Sequence, residues 1–251
     1  MDGRPQREEN MIVDAHIHAG HGDELTASWS TFEDIEVSLR RMDQVGIDRA
    51  VVLPIGLGSF VEANEETAEI VSRYPDRLYG FAKVHQEYDR GRVKDMLKRA
   101  FDGLGLRGLK LHGTPNREIM DAVAPYKVPV LCDPLGEPMP LRYAAQEYPE
   151  VQIVIAHFGS FLSRNQKAHL ESIWLAKHYP NIYLDTSGVC LHEWLERAVE
   201  ELGSERIIFG SDGPGLHCGV ELARIKVLNL PPDQEDLILG GNILRLLGEE
   251  G

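Results

Sequence analysis

The sequence predicts an α/β protein in which eight parallel strands alternate with helices and close into a single barrel. Short runs rich in β-branched residues alternate with longer segments of helical periodicity. The chain has 251 residues, which is about the length of one barrel of this kind. Residue types that bind metals or transfer protons follow nearly every predicted strand. These three observations favour one (β/α)8, or TIM, barrel that forms a single domain.

Each predicted strand is a short apolar run. The run at 151–156 is almost continuously apolar, as expected for a parallel strand that is buried on both faces. At this total length, the alternation with helices favours closure over an open doubly wound sheet. The eight predicted strands span 12–20, 50–54, 78–84, 106–112, 128–132, 151–156, 181–185 and 206–210.

Helical segments fill the intervals between the strands. The first follows Ser30 and Thr31, which precede Glu33 and Asp34 as in a capping box, and it ends at Gly46. A proline or a pair of glycines ends several of the others. The remaining predicted helices span 62–74, 94–101, 116–124, 141–148, 165–178, 192–202, 221–228 and 233–247.

The composition limits the class of partner. The 26 basic and 40 acidic residues give a formal net charge of -14, which offers little attraction to nucleic acid or to an anionic membrane. No run approaches the roughly 18 apolar residues of a membrane span. We therefore expect a small-molecule substrate and neither a nucleic-acid nor a membrane partner. The three cysteines show no paired spacing, which favours a reduced, cytoplasmic protein.

The N-terminal segment differs in composition from the rest of the chain. Residues 1–10 are polar and charged, and they lack the apolar centre of a secretory signal. We expect a flexible leader there and the barrel over residues 11–251. Because the outer helices of such barrels often pair, a homodimer is also compatible with the sequence.

Two histidines stand two residues apart in the first predicted strand. Side chains alternate along a strand, so His16 and His18 are expected on the same face. Two neutral imidazoles on one strand can bind a single divalent ion. A strand that merely carries two structural histidines explains an isolated His-x-His equally well.

Further side chains that can bind a metal or transfer a proton occur where later strands end. Because the carboxyl ends of barrel strands form one rim, we expect these side chains to meet there. Lys110 and His112 end strand four, and the acids and the histidine that end or follow strands five to eight are Asp133, His157, Asp185 and Asp212.

Four segments together resemble the amidohydrolase superfamily. They are Asp-Ala-His-Ile-His at 14–18, Gly-Leu-Lys-Leu-His at 108–112, Ile-Ala-His-Phe-Gly at 155–159 and Ile-Phe-Gly-Ser-Asp-Gly-Pro at 208–214. The resemblance extends from about residue 12 to residue 247. The chain is most similar to the branch that includes small-molecule hydrolases, lactonases and metal-dependent decarboxylases.

The resemblance implies His16, His18 and Asp212 as metal ligands. It implies His157 as a further ligand or as an acid/base group that orients the substrate. A bound Zn²⁺-type ion lowers the pKa of its water to about 7. Asp212 beside that water can accept its proton, and His157 can stabilise an oxyanion or transfer a proton.

The chain departs from the family at strand five. Many relatives place a metal-binding histidine there, whereas this chain has Asp133. Asp133 as a ligand would weaken the Lewis acidity of the ion and favour Mn²⁺ or Mg²⁺ over Zn²⁺. Alternatively, Asp133 points away and His112 completes the site. We expect one divalent ion, with Zn²⁺ first and Mn²⁺ or Mg²⁺ as alternatives.

Lys110 and His112 are expected to bind an anionic part of the substrate, such as a carboxylate. In dinuclear relatives a lysine on strand four bridges two metals as a carbamate, but here the second metal lacks its strand-five histidine. A buried ion pair between Lys110 and an acid such as Asp14 is an equally compatible structural role. Asp185 is a candidate for orienting a ligand histidine from behind.

Two reactions would use these residues. The first is hydrolysis of an amide, ester or lactone by metal-activated water. The second is non-oxidative decarboxylation, in which His157 or Asp212 protonates the remaining carbon. Hydrolysis is favoured because the rim loops offer few aromatic residues, namely Trp29, Phe60, Phe158 and Phe161. A third hypothesis, a silent barrel that binds a small ligand, is supported by the departure at strand five.

Overall fold

The computed structural model describes residues 11–22, 32–56 and 59–249. The predicted leader at 1–10 lies outside these residues, as do Trp29 and the predicted helix start at Ser30 and Thr31. The predicted barrel domain is therefore described from residue 11 onwards.

The strands confirm the predicted (β/α)8 barrel. Two short strands, β4 and β5, are separated only by Phe81 and together replace the single strand predicted at 78–84. One further strand, β2, runs antiparallel to β1 outside the barrel. In chain order the strands are β1 (Val13–Gly22), β2 (Phe32–Glu33), β3 (Arg49–Gly56), β4 (Leu78–Gly80), β5 (Ala82–Lys83), β6 (Leu109–His112), β7 (Val130–Asp133), β8 (Ile153–Ile155), β9 (Ile182–Asp185) and β10 (Ile207–Ile208).

Helices on the outside connect the strands. They are α1 (Ile35–Val45), α2 (Phe60–Ser72), α3 (Val93–Lys98), α4 (Arg117–Val123), α5 (Leu141–Glu147), α6 (Gln166–His178), α7 (Glu193–Leu202), α8 (Cys218–Lys226), α9 (Pro232–Asp236) and α10 (Asn242–Leu246). A π-helical turn, Leu237–Gly241, divides the helix predicted at 233–247 into α9 and α10. None of the described helices has the length and apolar character needed to span a bilayer.

The start of α1 differs from the capping box predicted at Ser30 and Thr31. Asp34 is the N-cap, and its side chain accepts a hydrogen bond from the backbone N–H of Glu36 at 3.0 Å. The two residues before Asp34 form the extended strand β2, which pairs with the end of β1, so they cannot belong to the helix.

Two chain segments close the barrel where the strand pairing is discontinuous. The strands form two sheets, ordered β2-β1-β3-β4 and β10-β9-β8-β7-β6-β5. At one junction, Phe81 N donates to Val52 O at 3.0 Å and Ala82 N donates to Gly108 O at 2.8 Å. The chain thus passes from one sheet into the other without leaving the barrel wall.

At the opposite junction, β1 pairs with the segment that follows β10. Ala15 N donates to Phe209 O at 2.9 Å, and Asp212 N donates to His16 O at 2.7 Å. Ile17 forms a parallel bridge with Gly213 just beyond. The first and last strands of the barrel therefore meet at the residues that carry the candidate site.

Strand β1 does not alternate uniformly. Val13 and Ala15 pack inside the barrel, whereas Ile17 packs in the outer layer against the helices. Residues two apart share a face in a regular strand, so Ile17 can leave the face of Ala15 only if the pairing slips, and the register of β1 with β3 shifts between Asp14 and Ile17. Asp14 consequently lies near α1 and α8, while His16 faces the barrel mouth.

Phe81 fills the junction between the sheets, and we expect its truncation to destabilise the fold. Its side chain is 1% exposed, and a Cβ on Gly108 would lie 2.4 Å from its ring. Phe81→Ala should lower the free energy of unfolding by about 3–5 kcal/mol in urea denaturation, because a large buried ring leaves a cavity. Val220→Ala on exposed α8 should change it by less than about 0.5 kcal/mol. Equal effects of the two variants would contradict this account of the junction.

Candidate metal centre

The side chains of His16, His18 and Asp212 converge at the mouth of the barrel. Oδ1 of Asp212 lies 3.2 Å from Nε2 of His16 and 3.1 Å from Nε2 of His18. Ligand atoms at about 2.0–2.2 Å from one ion lie about 3.0–3.6 Å apart, so both separations suit a shared ion. His16 is fully buried, whereas His18 and Asp212 remain partly exposed.

His157 lies beside the same point. One potential ligand atom each from His16, His157 and Asp212 lies within 4.8 Å of the other two. Nδ1 of His157 is 3.0 Å from the carbonyl oxygen of Ser187, which leaves Nε2 available to the mouth. Imidazole nitrogens with a carboxylate oxygen form a donor set that suits Zn²⁺ or Mn²⁺. The arrangement accommodates His157 either as a ligand or as an acid/base group beside the ion.

Two of these residues occupy strained backbone conformations. His157 has φ 57° and Asp212 has φ 57°, in the left-handed region that residues other than glycine rarely adopt. Each such conformation costs on the order of 1–3 kcal/mol and persists only where surrounding contacts hold it. Buried His169 supports the first, because its Nδ1 lies 3.0 Å from Phe158 O. The bond from Asp212 N to His16 O supports the second.

Asp185, at the end of β9, lies directly behind His16. Its Oδ2 is 2.9 Å from Nδ1 of His16 and accepts from the backbone N–H of His157 at 3.2 Å. Burial raises the pKa of Asp185, but the His16 charge and hydrogen bonds from His16 and Ser187 outweigh it, so the pKa is about 2. An ionised Asp185 keeps the proton of His16 on Nδ1 and frees Nε2 as a ligand, the orienting role suggested by its position in the sequence.

The pKa shifts differ among the candidate ligands. Burial and the charge of Lys110 act to lower the pKa of His16, but the charges of Asp185 and Asp212 outweigh them and raise it. Burial lowers the pKa of His18 to about 4, although Asp212 opposes this shift, and burial also lowers the pKa of His157. For Asp212, burial acts to raise the pKa, but the charges and hydrogen bonds of His16 and His18 hold it well below its usual range. Two imidazoles thus offer lone pairs next to an ionised carboxylate.

Lys110 lies within the barrel, against the candidate ligands. Its side chain is buried, and its Nζ is 3.3 Å from Nε2 of His16. Lys110 does not form the ion pair with Asp14 that was the alternative role, because Oδ1 of Asp14 instead accepts from the backbone N–H groups of His16 and Ser211. On the same strand, burial and the charge of Lys110 lower the pKa of His112 well below its usual range. His112 is therefore a neutral imidazole beside a cation.

Asp133 ends β7 opposite His112. Its Oδ1 accepts a hydrogen bond from Leu135 N at 2.9 Å. Within the described part of the chain, the group whose ligand atoms all lie within 4.8 Å of one another is His16, His157 and Asp212, and His18, His112 and Asp133 are outside it. Asp133 or His112 as the missing strand-five ligand stays a prediction. Cys132 points to the other side, as alternation predicts, and its Sγ contacts Gly113 O at 3.1 Å.

One of the predicted rim aromatic residues contacts the site. The ring of Phe161 lies 4.8 Å from that of His157, centroid to centroid, and its side chain is 43% exposed. Phe60 instead lies over Lys83, and Phe158 is buried in the outer core. The sequence analysis does not single out Ser187, yet its hydroxyl contacts both His16 and His157. Its position two residues after Asp185 was the only available signal.

Comparison with known proteins agrees with this geometry. A family profile described as Amidohydrolase matches residues 13–248. The chain belongs to the amidohydrolase family. No match is found among curated proteins.

Solved structures share the fold of this amidohydrolase at low sequence identity. 5-Carboxyvanillate decarboxylase from Sphingomonas paucimobilis is 14% identical, with a TM-score of 0.74, over 96% of this chain and 100% of that chain. A dihydroxybenzoic acid decarboxylase from Polaromonas, with bound manganese and 2-nitroresorcinol, is 18% identical and has a TM-score of 0.73. The match covers 95% of this chain and 97% of that chain. An amidohydrolase from Burkholderia multivorans with bound zinc is 12% identical and has a TM-score of 0.79. The match covers 96% of this chain and 100% of that chain.

Single substitutions should separate ligands from the acid/base group. We expect His16→Ala to weaken Zn²⁺ or Mn²⁺ binding by more than about 100-fold, beyond the usual effect of an outer hydrogen-bond partner. His157→Ala should leave most of the metal bound. Metal content after dialysis and chelator competition measure both, and His178→Ala on α6 is the control. A metal-free His157→Ala protein that folds normally would show that His157 is a ligand.

Asp14 should give the protein a distinctive pH dependence of stability. Burial raises the pKa of Asp14 from 3.8 to about 7, and its Oδ2 has no partner among the described groups. At a pH between these two pKa values, Asp14 keeps its proton in the folded protein and has lost it in the unfolded chain. Stability is therefore lost as the pH rises from about 4 to 7, by at most about 4 kcal/mol.

Asp14→Asn should remove this loss because the amide does not ionise. Urea denaturation at pH 5 and pH 8, with a chelator present, measures the difference in free energy of unfolding. The decline from pH 5 to pH 8 should be smaller in Asp14→Asn than in the parent protein, whereas the exposed control Asp95→Asn should behave like the parent. Parallel pH profiles for the parent and Asp14→Asn would contradict the raised pKa.

Proposed function

We propose that this amidohydrolase is a metal-dependent, non-oxidative decarboxylase of a small carboxylic acid. The main support is Lys110, whose ammonium group is buried next to the metal-ligand atom of His16. No carboxylate in the described part of the chain forms an ion pair with Lys110. A buried cation needs an anionic partner, and a substrate carboxylate entering the mouth would provide one.

The remaining residues of the mouth suit such a substrate. Lys110 offers N–H donors to one carboxylate oxygen, and the neutral imidazole of His112 lies on the same strand. Phe161 covers His157 and provides an apolar surface against a ring or another planar group. When bound, a divalent ion supplies positive charge that orients the substrate's oxygen atoms and stabilises developing negative charge.

His157 is the proposed proton carrier. Decarboxylation breaks the bond between the carboxylate carbon and its neighbour, releases CO2 and leaves the electron pair on the neighbouring carbon. That carbon takes up one proton, so each turnover consumes a proton from solvent. Nε2 of neutral His157 can accept this proton at the mouth and deliver it to the carbon, because Nδ1 is held by Ser187.

The relatives supply the first compounds to test. Two of the similar structures are decarboxylases of 5-carboxyvanillate and dihydroxybenzoic acid. The structural likeness is evidence for the fold, and the chemistry of the mouth supports extending their reaction to this chain. This interpretation reverses the preference for hydrolysis drawn from the rim loops, because Phe161 provides the aromatic contact that the sequence alone did not place.

Hydrolysis is the second candidate, and Asp212 is the observation that favours it. Its ionised carboxylate shares one oxygen with two imidazoles, so it would lie beside a water on the same ion. A carboxylate in that position can act as a general base. Under either reaction the substrate is a small molecule, and neither nucleic acid nor a membrane enters the proposal.

The two reactions give different products. Protein loaded with Zn²⁺ or Mn²⁺ should release ¹³CO2 from hydroxybenzoates labelled in the carboxyl group, detected by mass spectrometry. The His157→Ala variant should release none above the buffer rate. Turnover of esters or lactones without ¹³CO2 release from any labelled acid would establish hydrolysis instead.

Lys110→Met should weaken binding of an anionic ligand without removing the metal. Loss of a hydrogen bond to a charged group costs about 1.5–3 kcal/mol, so benzoate should bind about 10- to 100-fold less tightly. Calorimetric titration of benzoate into metal-loaded protein measures this change. Lys167→Met on exposed α6 is the matched control. Unchanged benzoate affinity in Lys110→Met would remove the main support for a carboxylate substrate.

A further inference from the structure

The ring of Phe161 packs against both the imidazole of His157 and the backbone of Gly188. Its centroid is 4.8 Å from that of His157, and a Cβ at position 188 would lie 2.8 Å from two of its ring carbons. The Phe161 side chain is nevertheless 43% exposed. Part of the ring is thus covered by the protein, and the rest is open to a ligand.

Gly188 connects the loop after β9 to the loop that carries Phe161. Its φ is 63°, in the left-handed region that glycine adopts without strain. Its carbonyl oxygen accepts from the backbone N–H of Leu162 at 3.1 Å, and Leu162 itself has φ 43°. A left-handed leucine persists only where surrounding contacts hold it. Because Leu162 directly follows Phe161, the place of Gly188 determines the place of the ring.

Helix α8 holds Gly188 through its N–H group, which donates to Oε2 of Glu221 at 3.3 Å. Oε1 of Glu221 lies 3.4 Å from Nε of Arg224, three residues further along the same helix. Nη1 of Arg224 also donates to the carbonyl oxygens of Val189 and Cys190. Gly188 and the two residues after it are therefore fixed to one helix.

Glu221 depends on Arg224 to hold Gly188. Its side chain is only 5% exposed, and burial raises its pKa while the charge of Arg224 opposes that shift. A carboxylate is costly to bury without a cation beside it. Arg224 is 28% exposed and brings its charge to Glu221 from the surface. Removal of Arg224 therefore weakens the hold on Gly188 twice, at Glu221 and at the two carbonyl oxygens.

We propose that Arg224 and Glu221 are positioning residues that hold Phe161 through Gly188, and that the ring so held selects acids whose carboxylate is attached to a planar ring. Neither Arg224 nor Glu221 touches the substrate. This role rests on the proposed function, because that function places the substrate carboxylate at Lys110.

The cation and the aromatic surface are separated by two adjacent imidazoles. Nζ of Lys110 is 3.3 Å from Nε2 of His16, and the ring of His16 is 4.9 Å from that of His157, which Phe161 covers. An acid that contacts both Lys110 and Phe161 must extend across this pair, which a carboxylate alone cannot do. Aromatic rings attract at centroid separations of about 4.5–7 Å, beyond the effect of the apolar area that they bury.

Two acids with six-membered rings separate ring stacking from simple apolar contact. Benzoate has a planar ring, cyclohexanecarboxylate does not, and both are ionised at neutral pH. In calorimetric titrations of Zn²⁺-loaded protein, benzoate should bind about 2- to 12-fold more tightly, the range of one aromatic pair. Phe161→Leu should abolish this preference and largely retain the affinity for cyclohexanecarboxylate, because leucine keeps an apolar surface.

Variants of Arg224 test whether α8 sets the preference. Arg224→Met should lower the preference for benzoate as far as Phe161→Leu does, with Zn²⁺ affinity in chelator competition unchanged. Arg224→Lys keeps a cation beside Glu221 and should restore most of the preference. The matched control is Arg197→Met on α7, since Arg197 also pairs with a glutamate of its own helix, Glu201. This control should bind both acids as the parent does.

A double variant separates positioning from a general structural role. If Arg224 acts on the ligand only through Phe161, Phe161→Leu/Arg224→Met should bind both acids as Phe161→Leu does. A general loosening of the mouth would instead weaken both acids alike, in the single variant and in the double variant, and would contradict the role assigned to Arg224.

Two further results would overturn the proposal. One is equal affinity of the parent protein for the two acids, and the other is an unchanged preference in Arg224→Met. If Arg224→Met does not fold, Gly188→Ala applies the same test, because its methyl group would displace the ring and should remove the preference. The titrations involve no turnover, so a protein that discriminates the two acids without releasing ¹³CO2 would retain this role of Phe161 and lose the decarboxylase assignment.

Discussion

The pairing of β1 with the segment after β10 is the constraint on which the rest of the molecule depends. The hydrogen bond from Asp212 N to His16 O joins the first and last strands of the barrel at 2.7 Å. The same two residues approach through their side chains at 3.2 Å. The contact that closes the barrel therefore also brings two candidate metal ligands together, one from each end of the chain.

Three ionisable side chains, which lie on or just after three different strands, surround His16. Asp185 on β9 lies behind the ring, Asp212 lies in front, and Lys110 on β6 approaches Nε2 from within the barrel. Each of these groups would be costly to bury alone. Together they favour an ionised carboxylate on each side of the imidazole, and Lys110 forms no ion pair with a carboxylate of the described residues. A cluster of histidines on the protein surface would not be surrounded by buried ionised groups in this way.

Backbone strain and its support are concentrated at the same rim. The left-handed conformations of His157 and Asp212 place their side chains at the barrel mouth, where an ion would bind, and neighbouring buried groups hold both turns. Strained conformations at functional residues need a rigid surrounding, which the closed barrel supplies. Asp133, which replaces the strand-five histidine of the family, lies on the opposite side of the mouth. Its carboxylate accepts a hydrogen bond from the backbone N–H of Leu135.

The sequence by itself determined the alternation of strands and helices, the number of strands in the barrel and the rim on which His16, His157 and Asp212 lie. These features follow from local periodicity and from the rule that the carboxyl ends of barrel strands share one rim. Tertiary structure decided the details that depend on contacts between distant segments. The slip in β1 turns Asp14 outward, although simple alternation groups it with His16. The contacts of Lys110 and Ser187 depend on which side chains face them across the barrel, and no local pattern encodes such a pairing.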